Sequence, residues 1–102
     1  MTIEAKTIEQ LARSYNVSKR ILKEVEMGIL NKSFSEIDSL YTSVSHLEMT
    51  AKSLDAQSRF IIEKEVLEDR FGTTWYTDYF SQATYYRLRA KAYQAYIQDL
   101  NK

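Results

Sequence analysis

The chain has 102 residues, of which 44% are hydrophobic and 27% charged, and its formal net charge is zero. This balance is typical of a folded protein and argues against an intrinsically disordered one. The absence of cysteine excludes disulfides and thiolate metal sites, and no apolar run is long enough to span a membrane. The N-terminus lacks the apolar core of a signal peptide, so we expect a cytoplasmic protein without membrane contact.

The low content of helix-breaking residues predicts an all-α fold. Proline is absent and only two glycines occur, Gly28 and Gly72. Proline breaks helix interiors and glycine weakens them, so a chain nearly free of both can be helical almost throughout. We expect five or six helices with helix-turn-helix elements near both ends. The segments are 1–30, 31–53 and 54–102, and they are expected to share one core.

The charges are distributed unevenly. Residues 1–23 carry five basic and two acidic side chains, residues 24–70 five basic and ten acidic, and residues 71–102 four basic and two acidic. Attraction to phosphate depends on the local field at a contact surface and not on the net charge. The two basic ends therefore favour a nucleic-acid partner, although fluctuations of this size also arise by chance in a neutral chain.

The first informative pattern covers residues 7–25. Thr7 can cap a helix with four inward-facing side chains: Ile8, Leu11, Ala12 and Tyr15. Asn16 falls where a tight turn needs a residue that tolerates positive φ, and Val17 would plug the core from that turn. Ser18 can then cap a second helix.

This pattern resembles the helix-turn-helix of bacterial and phage regulators, in which the second helix enters the major groove of DNA. The small side chain of Ala12 suits a steep crossing of two helices. The resemblance implies a DNA-contacting face made of Ser18, Lys19, Arg20 and Lys23. An ordinary helical hairpin with a basic outer face would give the same pattern.

The middle of the chain predicts a core helix or a dimer helix. Gly28 ends or loosens the preceding helix, and Ser33 or Ser35 can cap the next one. From Ile37 onwards the apolar residues follow helical spacing: Leu40, Tyr41, Val44, Leu47 and Ala51. His46 is the only histidine, so no zinc site is expected.

A second pattern begins at Leu54. Asp55 can cap a helix whose apolar face consists of Phe60, Ile61 or Ile62, and Leu67, and Gly72 can close that helix. The carboxylates of this helix are interpreted as a solvated face: Glu63, Glu65, Glu68 and Asp69. A short connecting helix is expected around residues 74–79. Ser81 then opens a last helix that contains Thr84-Tyr85-Tyr86-Arg87 and Lys91-Ala92.

This C-terminal half is similar to the region-four DNA-binding module of sigma factors, and closer still to sigma-like phage late-gene regulators of the ArpU and RinA type. The resemblance spans residues 54–100. It implies that four residues of the last helix face the core: Tyr85, Leu88, Ala92 and Tyr96. Three would reach towards bases: Gln82, Ala83 and Tyr86. Three cations would contact phosphates: Arg87, Arg89 and Lys91.

An alternative interpretation of the last helix is a packing seam. Residues at alternating spacings of four and three are typical of a helix packed against another, in the same chain or in a second subunit: Tyr79, Ala83, Tyr86, Ala90, Tyr93, Ile97 and Leu100. The sequence leaves open whether Tyr86 and Tyr93 serve DNA, the core or a subunit contact.

No glycine-rich phosphate loop, catalytic triad or metal-ligand spacing occurs, so we expect neither enzymatic activity nor a cofactor. The predicted function is a sequence-specific transcriptional regulator of phage or mobile-element origin that binds double-stranded DNA as a homodimer. RNA polymerase is a further candidate partner. Two other classes stay open: a ring-forming phage small terminase subunit, and a helical protein-interaction module that acts on RNA polymerase or a repressor.

Overall fold

A computed structural model describes all 102 residues and contains four α-helices and no strand. The helices are α1 (Ile3–Glu26), α2 (Phe34–Lys52), α3 (Ala56–Ile62) and α4 (Gln82–Leu100). The all-α prediction is confirmed, whereas the expected five or six helices are four. None of the helices combines the length and apolar character that crossing a bilayer would require.

Two short helical turns complete the structure. A π-helical turn, Glu63–Leu67, continues α3 without a break, and a 3-10 turn, Trp75–Asp78, precedes α4. The 3-10 turn lies where the short connecting helix was predicted. Helix α3 and its π-turn end well before Gly72, which takes the predicted left-handed conformation in the loop that follows, at φ 81°.

Side-chain caps fix where the helices begin. Thr2, Ser33, Asp55 and Ser81 each accept a hydrogen bond from the backbone N–H three residues further on. Such a cap satisfies a donor of the first helical turn that has no partner within the helix. The predictions for Ser33, Asp55 and Ser81 are confirmed, whereas the first helix begins after Thr2 and not after Thr7.

The predicted helix-turn-helix at residues 7–25 is wrong, because α1 continues unbroken through Asn16. The Asn16 amide donates to the Ala12 carbonyl at 2.7 Å and to the Val66 carbonyl of the π-turn at 3.0 Å. Its polar group therefore ties α1 to a distant segment and does not support a turn. Val17, expected to plug the core, is 43% exposed.

The core lies where α1, α3 with its π-turn and α4 meet, and α2 covers one side. A single apolar cluster draws residues from all four helices. The largest fully buried apolar side chains are Tyr96, Ile8, Ile61, Ile62 and Val66. The first half of α1 and all of α3 and α4 contribute to this body of the molecule.

Beyond the body, the end of α1 and the start of α2 project as a two-helix arm, which we define as residues 19–48. A helix end near Gly28 was predicted, and α1 ends at Glu26, just before Gly28 takes the left-handed conformation at φ 76°. Leu22 and Val44 are buried at the base of the arm, but no residue between them is. The arm gives the molecule its elongated dimensions of 46 × 28 × 24 Å.

Replacing Ala12 with leucine is expected to destabilise the fold. Ala12 is 2% exposed and lies one turn before Asn16, where α1 meets the π-turn. The added side-chain volume overpacks this contact and lowers the free energy of unfolding by about 1–3 kcal/mol. Urea denaturation measures the change, and the control is Ser14→Leu on the exposed side of α1. Equal losses in the two variants would show that no tight contact exists at Ala12.

Candidate nucleic-acid interface on α4

Helix α4 turns the predicted residues towards the core. Four side chains are at most 7% exposed, as the resemblance implied: Tyr85, Leu88, Ala92 and Tyr96. Tyr93 is also buried, at 2%, which assigns it to the core of its own chain. The Tyr96 hydroxyl donates to the Leu47 carbonyl on α2 at 2.9 Å. The C-terminal part of the predicted seam is therefore closed within one chain.

A buried carboxylate anchors this face of α4. Glu65 lies in the π-helical turn, is fully buried, and accepts hydrogen bonds from Trp75 Nε1 at 2.9 Å and from the hydroxyls of Tyr85 and Tyr93. Two of these donors are on α4 and the third is in the 3-10 turn. One side chain therefore joins the π-turn, the segment that leads into α4, and α4 itself.

The interpretation of Glu65 as part of a solvated face is wrong, although the sequence carried a signal for its burial. Glu65 follows Ile61 by four residues and Ile62 by three, so helical spacing places it on the same side as both isoleucines. A carboxylate on an apolar stripe must find hydrogen-bond donors when it is buried. The nearby Trp75 and several tyrosines supply them.

Burial keeps the tyrosine hydroxyls of the core protonated. Desolvation raises the pKa of Tyr85 and Tyr93 above the ordinary value, and the bonds to the negative Glu65 raise both further. Desolvation likewise raises the pKa of Tyr96, and that of Tyr15, whose hydroxyl also donates to Glu48 at 2.5 Å. All four hydroxyls are therefore fixed donors at neutral pH.

Arg89 is held among aromatic rings. Its guanidinium carbon lies 4.7 Å from the ring centroid of Tyr86, 5.4 Å from that of Tyr93 and 5.7 Å from that of Tyr85. The residue is half-buried, and no carboxylate lies within 4 Å of it. Cation–π attraction to these rings holds the side chain along the edge of α4.

The opposite face of α4 is exposed and carries no acidic group. Arg87 and Lys91 lie one turn apart, both exposed and both more than 4 Å from any carboxylate. No aspartate or glutamate occurs from Ser81 to Gln98. Asp55 lies close enough to Lys91 that the lysine contributes to its lowered pKa, which is due chiefly to the hydrogen bond of Asp55 with Ser58.

Uncharged side chains complete this face. Ala83, Ala90 and Gln94 are exposed there, and Tyr86, at the edge of the face, is 45% exposed. Gln82 is also exposed, but it lies in the first turn of α4 on the side opposite Lys91. Tyr86 and Arg89 also line two shallow clefts between α4 and the start of α1, of about 390 and 320 Å³. Tyr86 is thus a surface residue supported by Arg89, unlike the buried Tyr93.

The N-terminal site residues lie elsewhere. Ser18 is half-buried within α1 and caps no helix, while Lys19, Arg20 and Lys23 are exposed on the arm. Lys19 pairs with Glu48 on α2 at 3.8 Å. Glu4 lies beside Arg89, and a rise of 1.5 Å per residue puts Arg20 about 24 Å further along α1. The structure therefore does not bring the two predicted groups together.

No family model matches the chain, and no curated protein or solved structure is significantly similar to it. No group of three or more histidine, cysteine, aspartate or glutamate side chains is arranged to hold a metal ion. The resemblance of residues 54–100 to sigma region four remains an interpretation of the sequence.

Glu65→Met is expected to destabilise the protein more than Glu65→Gln. Glutamine keeps one oxygen acceptor in nearly the same shape, whereas methionine leaves three buried donors without a partner. Each unsatisfied donor costs about 1–3 kcal/mol. The two free energies of unfolding in urea at neutral pH should differ by at least about 2 kcal/mol. A methionine variant as stable as the glutamine variant would show that the hydrogen bonds to Glu65 do not hold α4.

The buried tyrosines also predict alkaline unfolding. Because the folded-state pKa values of Tyr15, Tyr85, Tyr93 and Tyr96 are raised, their contribution to stability is complete below the unfolded pKa of about 10. Above that pH the unfolded chain releases protons that the folded chain keeps. The free energy of unfolding should then fall by about 1.4 kcal/mol per pH unit for each tyrosine.

Urea unfolding at a series of pH values measures this slope, and tyrosinate absorbance shows when the hydroxyls ionise. Tyr93→Phe should reduce the slope by the contribution of one proton, about 1.4 kcal/mol per pH unit. Tyr86→Phe, at an exposed position, should leave the slope unchanged. Ionisation of all eight tyrosines in the still-folded protein would contradict the prediction.

Proposed function

We propose that the protein binds double-stranded DNA through the exposed face of α4, in the role of a sequence-specific transcriptional regulator. The observation that supports this is the charge of that face. Arg87 and Lys91 project from a helix without any carboxylate between Ser81 and Gln98. Phosphate contacts by such cations supply much of the affinity of a protein for DNA.

The other helices mix cations with carboxylates. Arg59 pairs with Glu63 on α3 and its π-turn, and Lys64 pairs with Glu68. Helix α1 carries four glutamates among its five cations, and α2 has three carboxylates against one lysine. Attraction to phosphate is set by the local field, so α4 is the surface best suited to DNA in a protein of zero net charge.

The remaining exposed side chains of α4 suit contacts with base edges. Glutamine can donate to and accept from adenine in the major groove, and Gln82 and Gln94 are both exposed. Tyr86 lies at the edge of the same face, with Arg89 against its ring. In this proposal Arg87 and Lys91 bind phosphates, Gln82, Tyr86 and Gln94 reach bases, and Arg89 positions Tyr86.

The contacts that hold α4 in place also suit DNA binding. In this proposal the 3-10 turn at Trp75–Asp78 corresponds to the first helix of a helix-turn-helix, and α4, capped by Ser81, corresponds to the second. The bonds of Tyr85 and Tyr93 to Glu65 fix the rotation of α4 about its axis. Because α4 is held in this way, it presents the same side chains before and after binding. Little conformational entropy is then lost when the helix enters a groove.

Replacing both Arg87 and Lys91 with glutamine is expected to weaken DNA binding and its dependence on salt. Each phosphate contact contributes about 0.9 to the slope of log affinity against log salt, so the loss of two contacts should flatten the slope by about 1.8. Fluorescence anisotropy with a labelled duplex, titrated at several salt concentrations, measures affinity and slope together. Duplexes selected from a random pool provide the sequence-specific probe.

The matched control replaces Arg13 and Lys52 with glutamine. It removes one arginine and one lysine from exposed positions outside α4 and changes the net charge equally. Its salt slope should equal that of the wild type. If the wild type fails to bind any duplex at low salt, or if both double variants flatten the slope equally, the assignment of DNA binding to α4 is refuted.

A further inference from the structure

The arm exposes more apolar surface than its two helices can cover. Between Leu22 and Val44 no side chain is buried, although eight residues there are apolar or tyrosine. The most exposed of them are Phe34 at 85%, Ile29 at 64%, Met27 at 63% and Tyr41 at 45%. Clustered exposure of this kind marks a contact surface more often than isolated exposed residues do.

The two helices of the arm cannot bury these apolar side chains by themselves. The arm contains the last eight residues of α1 and the first fifteen of α2, lengths at which an isolated helix is marginal in water. Helix stability then depends on packing of the apolar stripe against neighbouring elements. Between Leu22 and Val44 neither arm helix buries a side chain, so a further layer would stabilise the pair.

One flank of the arm combines two exposed aromatic side chains with charged ones. On α2 it consists of five residues that share one side of the helix: Phe34, Asp38, Tyr41, Ser45 and Glu48. On α1 it consists of Lys19, Arg20, Lys23 and Glu26. A cleft of about 540 Å³ separates the two rows, with Leu22 and Val44 among its lining residues. We call this surface the Phe34 flank.

The Phe34 flank is basic along α1 and acidic along α2. Lys19 pairs with Glu48 at 3.8 Å, and the Tyr41 hydroxyl donates to Glu26 at 3.1 Å. The other charges of the flank, on Arg20, Lys23 and Asp38, have no opposite charge within 4 Å. They remain available to a second molecule.

We propose that the Phe34 flank binds a second copy of this chain, so that two arms form a four-helix bundle. A two-fold axis along the arm sets the basic α1 edge of each copy against the acidic α2 edge of the other. Like any two-fold interface, it brings the same patch together twice. Phe34 and Tyr41 of each copy then pack beside the other copy's cations, where cation–π contacts add to the ion pairs.

The size of the flank sets the expected strength of the dimer. Its α2 part is about 22 Å long at 1.5 Å per residue, and two helices are about 22 Å wide. This gives roughly 500 Å² per copy and about 1,000 Å² in total, near the lower limit for specific interfaces. We therefore expect a reversible dimer with a Kd in the micromolar range.

Sedimentation equilibrium from about 1 to about 100 µM protein, a range that brackets a micromolar Kd, tests the proposal. The wild type should pass from monomer to dimer, and Phe34→Ser should raise the Kd at least about tenfold, as expected for an interface anchor. Ile3→Ser is the matched control. Ile3 is the first residue of α1 as Phe34 is of α2, each follows a hydroxyl cap, and Ile3 is 82% exposed.

Charge reversal tests the orientation of the two copies. The axis along the arm keeps each residue at its own height, so Arg20 of one copy faces Glu48 of the other, just as Lys19 pairs with Glu48 within one chain. Arg20→Glu and Glu48→Lys should each weaken the dimer, because each places like charges opposite one another, and the double variant should restore it. A wild type that stays monomeric, assembly beyond a dimer, or an Ile3→Ser variant as weak as Phe34→Ser would overturn the proposal. A double variant whose dimer is no tighter than that of the weaker single variant would also overturn it. All these variants leave α4 unchanged, so the DNA-binding proposal is tested separately.

Discussion

A carboxylate removed from water must have its oxygens hydrogen-bonded, and in this protein three donors converge on Glu65 for that purpose. The donors belong to the 3-10 turn and to α4, so satisfying one side chain of the π-turn orients the whole C-terminal half. With Tyr85 and Tyr93 turned inward to Glu65, helical periodicity turns Arg87 and Lys91 outward. The buried polar group thereby determines which side chains α4 presents to solvent.

Local rules predicted much of this arrangement. Helix caps, glycine positions and the apolar spacing of α4 depend on neighbours within four residues, and the sequence displays them directly. The turn at Asn16 was predicted wrongly because its amide bonds to Val66, a partner fifty residues away that no local pattern reveals. Glu65 lay on an apolar stripe, but the usual preference of carboxylates for solvent outweighed that signal.

Two sets of exposed cations, on α4 and on the arm, suit different tasks. Those on α4 have no carboxylate within 4 Å, which favours binding of a polyanion. Those on the arm alternate with glutamates and lie beside aromatic residues, which favours contact with a protein surface of mixed charge. The basic N-terminal segment that suggested a second DNA-binding motif belongs to this latter set. A zero net charge is compatible with both tasks because they occupy separate surfaces.

The continuity of α1 has a geometric consequence for any dimer joined at the arms. The helix is 24 residues long, or about 36 Å, and like α2 it takes part in both the core of the body and the arm. No glycine or proline interrupts it, so it offers no hinge between these two regions. The distance between the two α4 helices would then be set by a rigid helix and not by a flexible linker. On DNA, such a dimer would accept only half-sites at one fixed separation.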